Sequence, residues 1–189
     1  MRHFKLTLAA LLALAVAACV PEFANPLTGG DPADPAVLGT WKAAPEGEAE
    51  EMLLDITKTG DGITMVMRDP QGGAEDAITL KGTTAQIDGV RYASLAPVEE
   101  SGGNGAGFMV FRYELKDGTV HLQGLDNAKM VAAVEQGLIK GTTSGSASEK
   151  SAKISASSDE IAAFLITPAG QDAFRSGEGD ILILKKAAP

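Results

Sequence analysis

The sequence is poor in the residue types from which catalytic and metal sites are usually built. Its 189 residues include one cysteine and two histidines, and aromatic residues make up only 5 %. One thiol cannot form a disulfide within the chain, so stability has to come from a packed core. Outside the first 18 residues the only histidine is His121. It alternates with Val120 and Leu122, which predicts that it lies on the solvated side of a strand.

Patterns that mark catalytic nucleophiles are missing as well. No Gly-x-Ser-x-Gly or Ser-x-x-Lys sequence occurs, and these patterns normally carry serine nucleophiles. Carboxylates are plentiful, but their spacing matches no calcium loop of alternating oxygen ligands. The acidic run at residues 46–51 is typical of a solvated loop before a strand. We therefore expect no enzyme activity, no cofactor and no metal site.

The chain also lacks an apolar run long enough for a permanent membrane span. Its apolar stretch at residues 6–18 has 13 residues, whereas a transmembrane helix needs about 20. Arg2 and Lys5 precede the stretch, and small residues end it just before Cys19. A basic start, a short apolar run and small residues are the three parts of a secretory signal. Residues 1–18 are therefore predicted to be a signal peptide.

The end of this signal, Val16-Ala17-Ala18-Cys19, resembles the lipobox of bacterial lipoproteins. The resemblance implies cleavage between Ala18 and Cys19, a diacylglycerol on the Cys19 thiol and a further acyl chain on the new amino group. Two or three acyl chains hold a protein on a membrane durably, whereas one holds it reversibly. The alternatives are an ordinary signal peptide with an incidental cysteine, or a free thiol.

The charge of the processed chain limits its partners. Residues 19–189 carry 14 basic and 25 acidic side chains, a formal charge of −11. Such a field repels the phosphates of nucleic acids and disfavours adsorption to anionic lipids. We therefore expect no nucleic-acid partner, and attachment to a membrane only through acyl chains on Cys19.

The sequence predicts three segments. After the signal peptide, residues 19–36 hold the lipidated cysteine and four prolines with two adjacent glycines, a composition typical of an extended, semi-rigid tether. Residues 37–189 have the usual length of one domain with a single core. Within it, the Ser-rich stretch at residues 141–151 is predicted to be a mobile loop.

The pattern of residues 37–189 predicts an α+β fold that is mainly β. Three Asp-Gly pairs, which favour tight hairpins, separate runs with apolar residues at every second position; they are Asp61-Gly62, Asp88-Gly89 and Asp117-Gly118. We expect an antiparallel meander or a small barrel. Capping signals at Asp126 and at Ser157 with Glu160 then predict short helices, and residues 181–184 predict a closing strand.

Several predicted inward positions are occupied by methionine. Met52, Met65, Met67, Met109 and Phe111 share the inward side of their strands, where they either fill a core or line a pocket for an apolar ligand.

The first predicted strand contains Gly39-Thr40-Trp41, which resembles the Gly-x-Trp of lipocalins. This resemblance implies that Trp41 closes the base of a barrel and adds it to the possible ligand pocket. The chain departs from the family in lacking a clear Thr-Asp-Tyr, in having no disulfide and in ending with several short helices.

Two functions of different class follow. The first is a non-enzymatic envelope lipoprotein that engages another envelope protein. Val20 and Pro21 lack the aspartate that retains some lipoproteins in the inner membrane, which points to the outer membrane and its periplasmic side. The alternative is a lipocalin-like carrier of a small apolar ligand.

Overall fold

The computed structural model describes residues 20–43, 52–73, 77–98, 107–146, 150–174 and 181–187. Cys19 and Ala18, the predicted lipidation and cleavage residues, and the acidic run at residues 46–51 lie outside these ranges. Within them, no helix combines the length and the apolar character needed to cross a membrane.

Eight antiparallel strands close into a barrel. In chain order their bounds are β2 Gly39–Ala43, β3 Met52–Thr59, β4 Gly62–Arg68, β5 Ile78–Ile87, β6 Val90–Pro97, β7 Met109–Lys116, β8 Thr119–Gly124 and β11 Ile181–Lys186. Strands β2 to β8 are neighbours in sequence order, and β11 pairs with both β8 and β2. The barrel is therefore a meander closed by the last strand.

Two of the predicted Asp-Gly turns form as expected. Asp88-Gly89 and Asp117-Gly118 both have positive φ at both residues, the conformation of the type I′ hairpin turn that matches strand twist. The third pair is displaced by one residue. Gly60, with φ of 59°, occupies the turn before Asp61, and Gly62 is already the first residue of β4.

The mainly β, α+β prediction is confirmed, and the barrel is the form that the meander takes. Three short helices lie between β8 and β11: α1 Asn127–Glu135, α2 Ser158–Leu165 and α3 Pro168–Asp172. Each starts at a side-chain cap, as predicted for the first two. Asp126 accepts from the amide of Lys129, and Thr167 caps α3.

A second, three-stranded sheet forms outside the barrel. It consists of β1 Glu22–Phe23, β10 Ser151–Ile154 and β9 Gly141–Ser144, in the order β1-β10-β9. The predicted mobile loop at residues 141–151 is therefore wrong in part. Strand β9, at the start of this stretch, pairs with β10, which begins at its last residue, as an antiparallel hairpin. In β10, Ala152 and Ile154 alternate with polar residues and bury their side chains.

The described residues form two hydrophobic cores. The barrel core fills the interior with residues such as Trp41, Leu54 and Leu95. The flank core lies outside the barrel, where the helices and the small sheet cover part of the outer sides of β5, β6 and β7. Ala85, Tyr92 and Val110 are the strand residues that enter it. These strands are thus buried on both faces along part of their length, and the helices pack on the flank of the barrel.

The expected tether at residues 19–36 differs most from the structure. Phe23 is fully buried in the flank core, and its backbone pairs with Phe108 just before β7. Leu27 is 1 % exposed, and its amide donates to Ser94 Oγ over 2.9 Å. An extended tether has no such partners. The segment is instead anchored along the flank by apolar side chains placed between its prolines.

The same segment then completes the barrel. β5 pairs with β4 only as far as Gly82, which leaves the edge of its second half unpaired by a strand. The amides of Thr84 and Gln86 donate there to the carbonyls of Pro32 and Gly29, over 2.9 and 3.0 Å. Thr84 is buried, and a buried amide without a partner is costly. Residues 29–32 therefore act as a substitute strand.

We predict that Phe23→Ala destabilises the folded protein. Removing a fully buried phenylalanine costs about 3–5 kcal/mol of unfolding free energy, because the side chain leaves a cavity in the flank core. Urea denaturation followed by circular dichroism measures the change. Thr28→Ala, at an exposed position of the same segment, should change stability by less than about 0.5 kcal/mol. Equal stability of both variants would mean that residues 20–36 are a free tether.

Candidate functional site

The predicted pocket residues all pack in or against the barrel core. Trp41 and Met65 are buried, at 3 % and 5 % exposure. Four others are half-buried and pack against the same core at the end of the barrel where β3 and β7 begin; they are Met52, Met67, Met109 and Phe111.

One small cavity lies inside the barrel, and Met65 is the predicted pocket residue that lines it. The cavity beside Met65, Leu95 and Tyr113 measures about 20 Å³, roughly the room that one water molecule needs. Pockets for small molecules are typically about 300–1,000 Å³. As far as the described residues extend, the methionines fill a core.

The opposite end of the barrel is closed by the chain leading into β2. A short 3-10 helix, Pro35–Val37, follows Asp34, and Trp41 Nε1 donates to Val37 O over 2.7 Å. Tyr113 Oη donates to Asp34 Oδ2 over 2.7 Å, and Arg91 lies 3.4 Å from the same oxygen. Burial, followed by the Asp34 carboxylate, raises the pKa of Tyr113. This cluster is a structural plug, because its polar atoms satisfy one another.

A concave surface lies elsewhere, between α1 and α2. One wall forms where α1 ends. Gly137, with φ of 70°, donates its amide to Val134 O, and the Leu138 amide donates to Ala133 O. These two bonds are the Schellman motif, which glycine permits at the left-handed position. The motif turns the chain so that Leu138 projects outward at 52 % exposure while Ile139 stays buried.

The other wall is α2, fixed by a capping box. Ser157 Oγ accepts from the Glu160 amide, and Glu160 Oε2 accepts from the Ser157 amide over 2.7 Å. These bonds, and the nearby positive charge of Lys140, lower the pKa of Glu160. Phe164 packs inward from this wall and Ala163 faces the groove. Lys140 and Glu160 thus place opposite charges on the two sides.

Together these walls enclose an open groove of about 680 Å³. Leu138 and Ile166, at 52 % and 53 %, are the most exposed large apolar side chains among the described residues. Ile166 directly precedes Thr167, which lines the groove. We take the α1–α2 groove as the candidate functional site. Its main lining residues are Val134, Leu138, Lys140, Glu160, Ala163 and Thr167.

The sequence predicts a helix cap at Asp126, but it does not identify the groove. The one available signal was Gly137 followed by a leucine, which marks a helix end with an outward apolar residue. His121 lies half-exposed on β8, where its Nε2 is 3.0 Å from Thr119 Oγ1. In the described ranges, no three His, Cys, Asp or Glu side chains lie together as metal ligands do.

Comparison with known proteins gives no family. No family model matches the chain, and it matches neither a curated protein nor a solved structure. Function therefore has to be argued from the groove, the cores and the N-terminal sequence.

We predict that both tyrosines of the chain stay protonated in the folded protein above pH 10. Burial raises the pKa of Tyr92 and of Tyr113, whereas unfolded tyrosines titrate near pH 10. Above that pH the folded state retains protons that the unfolded state releases, so stability falls as pH rises. Tyrosinate absorbance should appear together with the loss of circular dichroism.

Tyr113→Phe should halve the amplitude of this absorbance change, because Tyr92 is the only other tyrosine. Guanidine-denatured protein should titrate near pH 10, as free tyrosine does. Ionisation near pH 10 in protein with native circular dichroism would contradict the burial of these rings.

Proposed function

We propose that this chain is a lipid-anchored protein of the bacterial cell envelope, held on the periplasmic side of the outer membrane, that acts as a non-enzymatic interaction module. Its groove between α1 and α2 binds an apolar segment of a second envelope protein. The observation that carries the proposal is the groove itself, which Leu138, one of the two most exposed large apolar side chains of the described residues, lines.

The anchor rests on the N-terminal sequence. The basic start, the short apolar run and Val16-Ala17-Ala18-Cys19 together support processing at Ala18 and acylation of Cys19. With a formal charge of −11 on the processed chain, the acyl chains supply the membrane affinity. Val20 and Pro21 at the positions after Cys19 support transfer to the outer membrane.

The chemistry of the groove favours a peptide as its occupant. Val134, Ala163 and Phe164 give the groove an apolar lining, and exposed apolar surface that polar residues rim is one mark of an interaction site. Lys140 and Glu160 add charges of both signs at the rim. A peptide can meet apolar contacts and both charges at once, in the way that amphipathic helices occupy grooves.

The structure favours this module over the carrier. A carrier needs an interior void, and the barrel leaves about 20 Å³. A barrel filled with side chains is instead a rigid scaffold for the groove on its flank.

We predict site-specific crosslinking through the groove. A photoreactive benzoylphenylalanine at Leu138 should give one discrete protein adduct in living cells, because Leu138 lies at the rim. The same residue at Ile183, which is 39 % exposed on β11, is the matched control and should give none. Electrophoresis of crosslinked envelopes followed by mass spectrometry identifies the adduct.

The adduct should disappear with Ala163→Glu, because a carboxylate then enters the apolar part of the groove. Thr57→Glu, at an exposed position of β3, should leave it unchanged. An adduct formed equally from both photoreactive positions, or retained with Ala163→Glu, would refute the groove as a binding site.

We predict that Cys19→Ser releases the protein from membranes, since serine cannot carry the thioether-linked diacylglycerol. Fractionation of cells should move it from the membrane pellet to the soluble periplasmic fraction, and intact mass should lose the acyl chains. Thr28→Ser is the control and should remain in the pellet. A Cys19→Ser protein that still requires detergent for release would contradict lipid anchoring.

A further inference from the structure

The start of the folded region leaves no room for a linker to the predicted lipid. Val20 is 7 % exposed and Pro21 is buried. Cys19 is therefore one peptide unit, about 3.8 Å between Cα atoms, from a residue packed in the fold. A free tether of residues 19–36 would have allowed the domain to stand about 55 Å from the bilayer.

The sheet beside Val20 has one exposed face. Phe23, Ala152 and Ile154 turn towards the flank core and are buried, so the opposite side of this sheet faces outward. Glu22 and Lys153 are register partners there, and Lys153 is also the partner of Thr142. We call this side the hairpin face. Its side chains are Glu22, Thr142, Ser144, Ser151 and Lys153.

We propose that the hairpin face lies directly against the phospholipid headgroups of the membrane that holds Cys19, so that the domain has a fixed orientation on the bilayer. This inference rests on the proposed lipid anchor. The occupant of the face is a bilayer because the chain outside the folded region, between Val20 and the acyl chains, is a single residue.

The charges of this region agree with a lipid surface. The hairpin face has one acidic and one basic side chain, Glu22 and Lys153, in a processed chain of −11. Lys150 pairs with Glu135 over 2.5 Å, and Lys153 lies 3.9 Å from Glu22 while its side chain stays 67 % exposed. With these partners the face is nearly neutral. Anionic headgroups therefore repel it less than the rest of the surface.

The polarity of the face agrees as well. Ser144 Oγ and Ser151 Oγ lie 3.3 Å apart, and the remaining side chains are hydroxyl or charged. Such groups can hydrogen-bond to phosphates and glycerol esters at the headgroup level without entering the hydrocarbon.

The test compares two exposed strand threonines in the natively acylated protein. Thr142→Cys places a label on the hairpin face, and Thr57→Cys places the same label on β3. Strand β3 is opposite β7 in the barrel ring, and Phe23 joins the small sheet to the chain beside β7. Both sites are exposed. Cys19 would be blocked by its thioether, so each variant has one reactive thiol.

Each labelled protein is reconstituted into vesicles of phosphatidylethanolamine and phosphatidylglycerol that contain a headgroup-level nitroxide lipid. We expect the nitroxide to quench the label at position 142 several-fold more than the label at 57. Equal quenching, or stronger quenching at 57, in protein that floats with the vesicles would overturn the orientation while the anchor stands. Protein that does not float would overturn the anchor, and the orientation with it.

Three further variants separate the causes. A flexible Gly/Ser linker of about 15 residues between Cys19 and Val20 should bring the quenching ratio close to one, since such a linker samples many orientations. An unchanged ratio would refute the short connection as its cause. Lys153→Glu should lower the ratio in anionic vesicles, whereas Lys58→Glu on β3 should not. Equal effects of the two reversals would overturn the role assigned to the hairpin face.

Discussion

The burial of part of β5, β6 and β7 on both faces is the constraint on which the rest of this structure depends. Tyr92 and Val110 point out of the barrel, yet both are fully buried, so this part of the outer barrel surface has to be covered. A barrel alone would leave them exposed at a cost of about 25 cal/mol per Å² of apolar surface. The three helices, the small sheet and the N-terminal segment together supply the cover.

This constraint explains why much of the fold can be predicted from the sequence and why the structure of one segment, residues 20–36, cannot. Alternation along β3, β4 and β7, with two type I′ turns, predicts the strands because neighbouring residues decide those features. The helix caps at Asp126 and Ser157 are equally local. The segment at residues 20–36 has the composition of a linker, whereas its contacts, such as that of Leu27 with Ser94, span 67 residues. No pattern among neighbouring residues predicts contacts over such a separation.

The candidate site shows the same limit. Sequence placed the methionines on inward faces, and they pack into or against the barrel core. It could not give the volume between them, because volume depends on how eight strands close. The groove could not be predicted from the sequence either. Gly137 is a local signal for the end of α1, but Ala163 on the other wall lies 26 positions further along the chain. Only the packing of the flank brings these two residues together.

The flank layer connects the two proposed surfaces through one hairpin. Gly141 lines the groove and begins β9, and its register partner Ile154 ends β10. β1 pairs with Lys153 and Ile154, at the same end of the hairpin as Gly141, and Val20 lies two residues before β1. A partner in the groove would therefore sit at a fixed, short distance from the lipid attachment that we propose at Cys19. The packed barrel makes that distance rigid, because its core leaves no space into which the flank can shift.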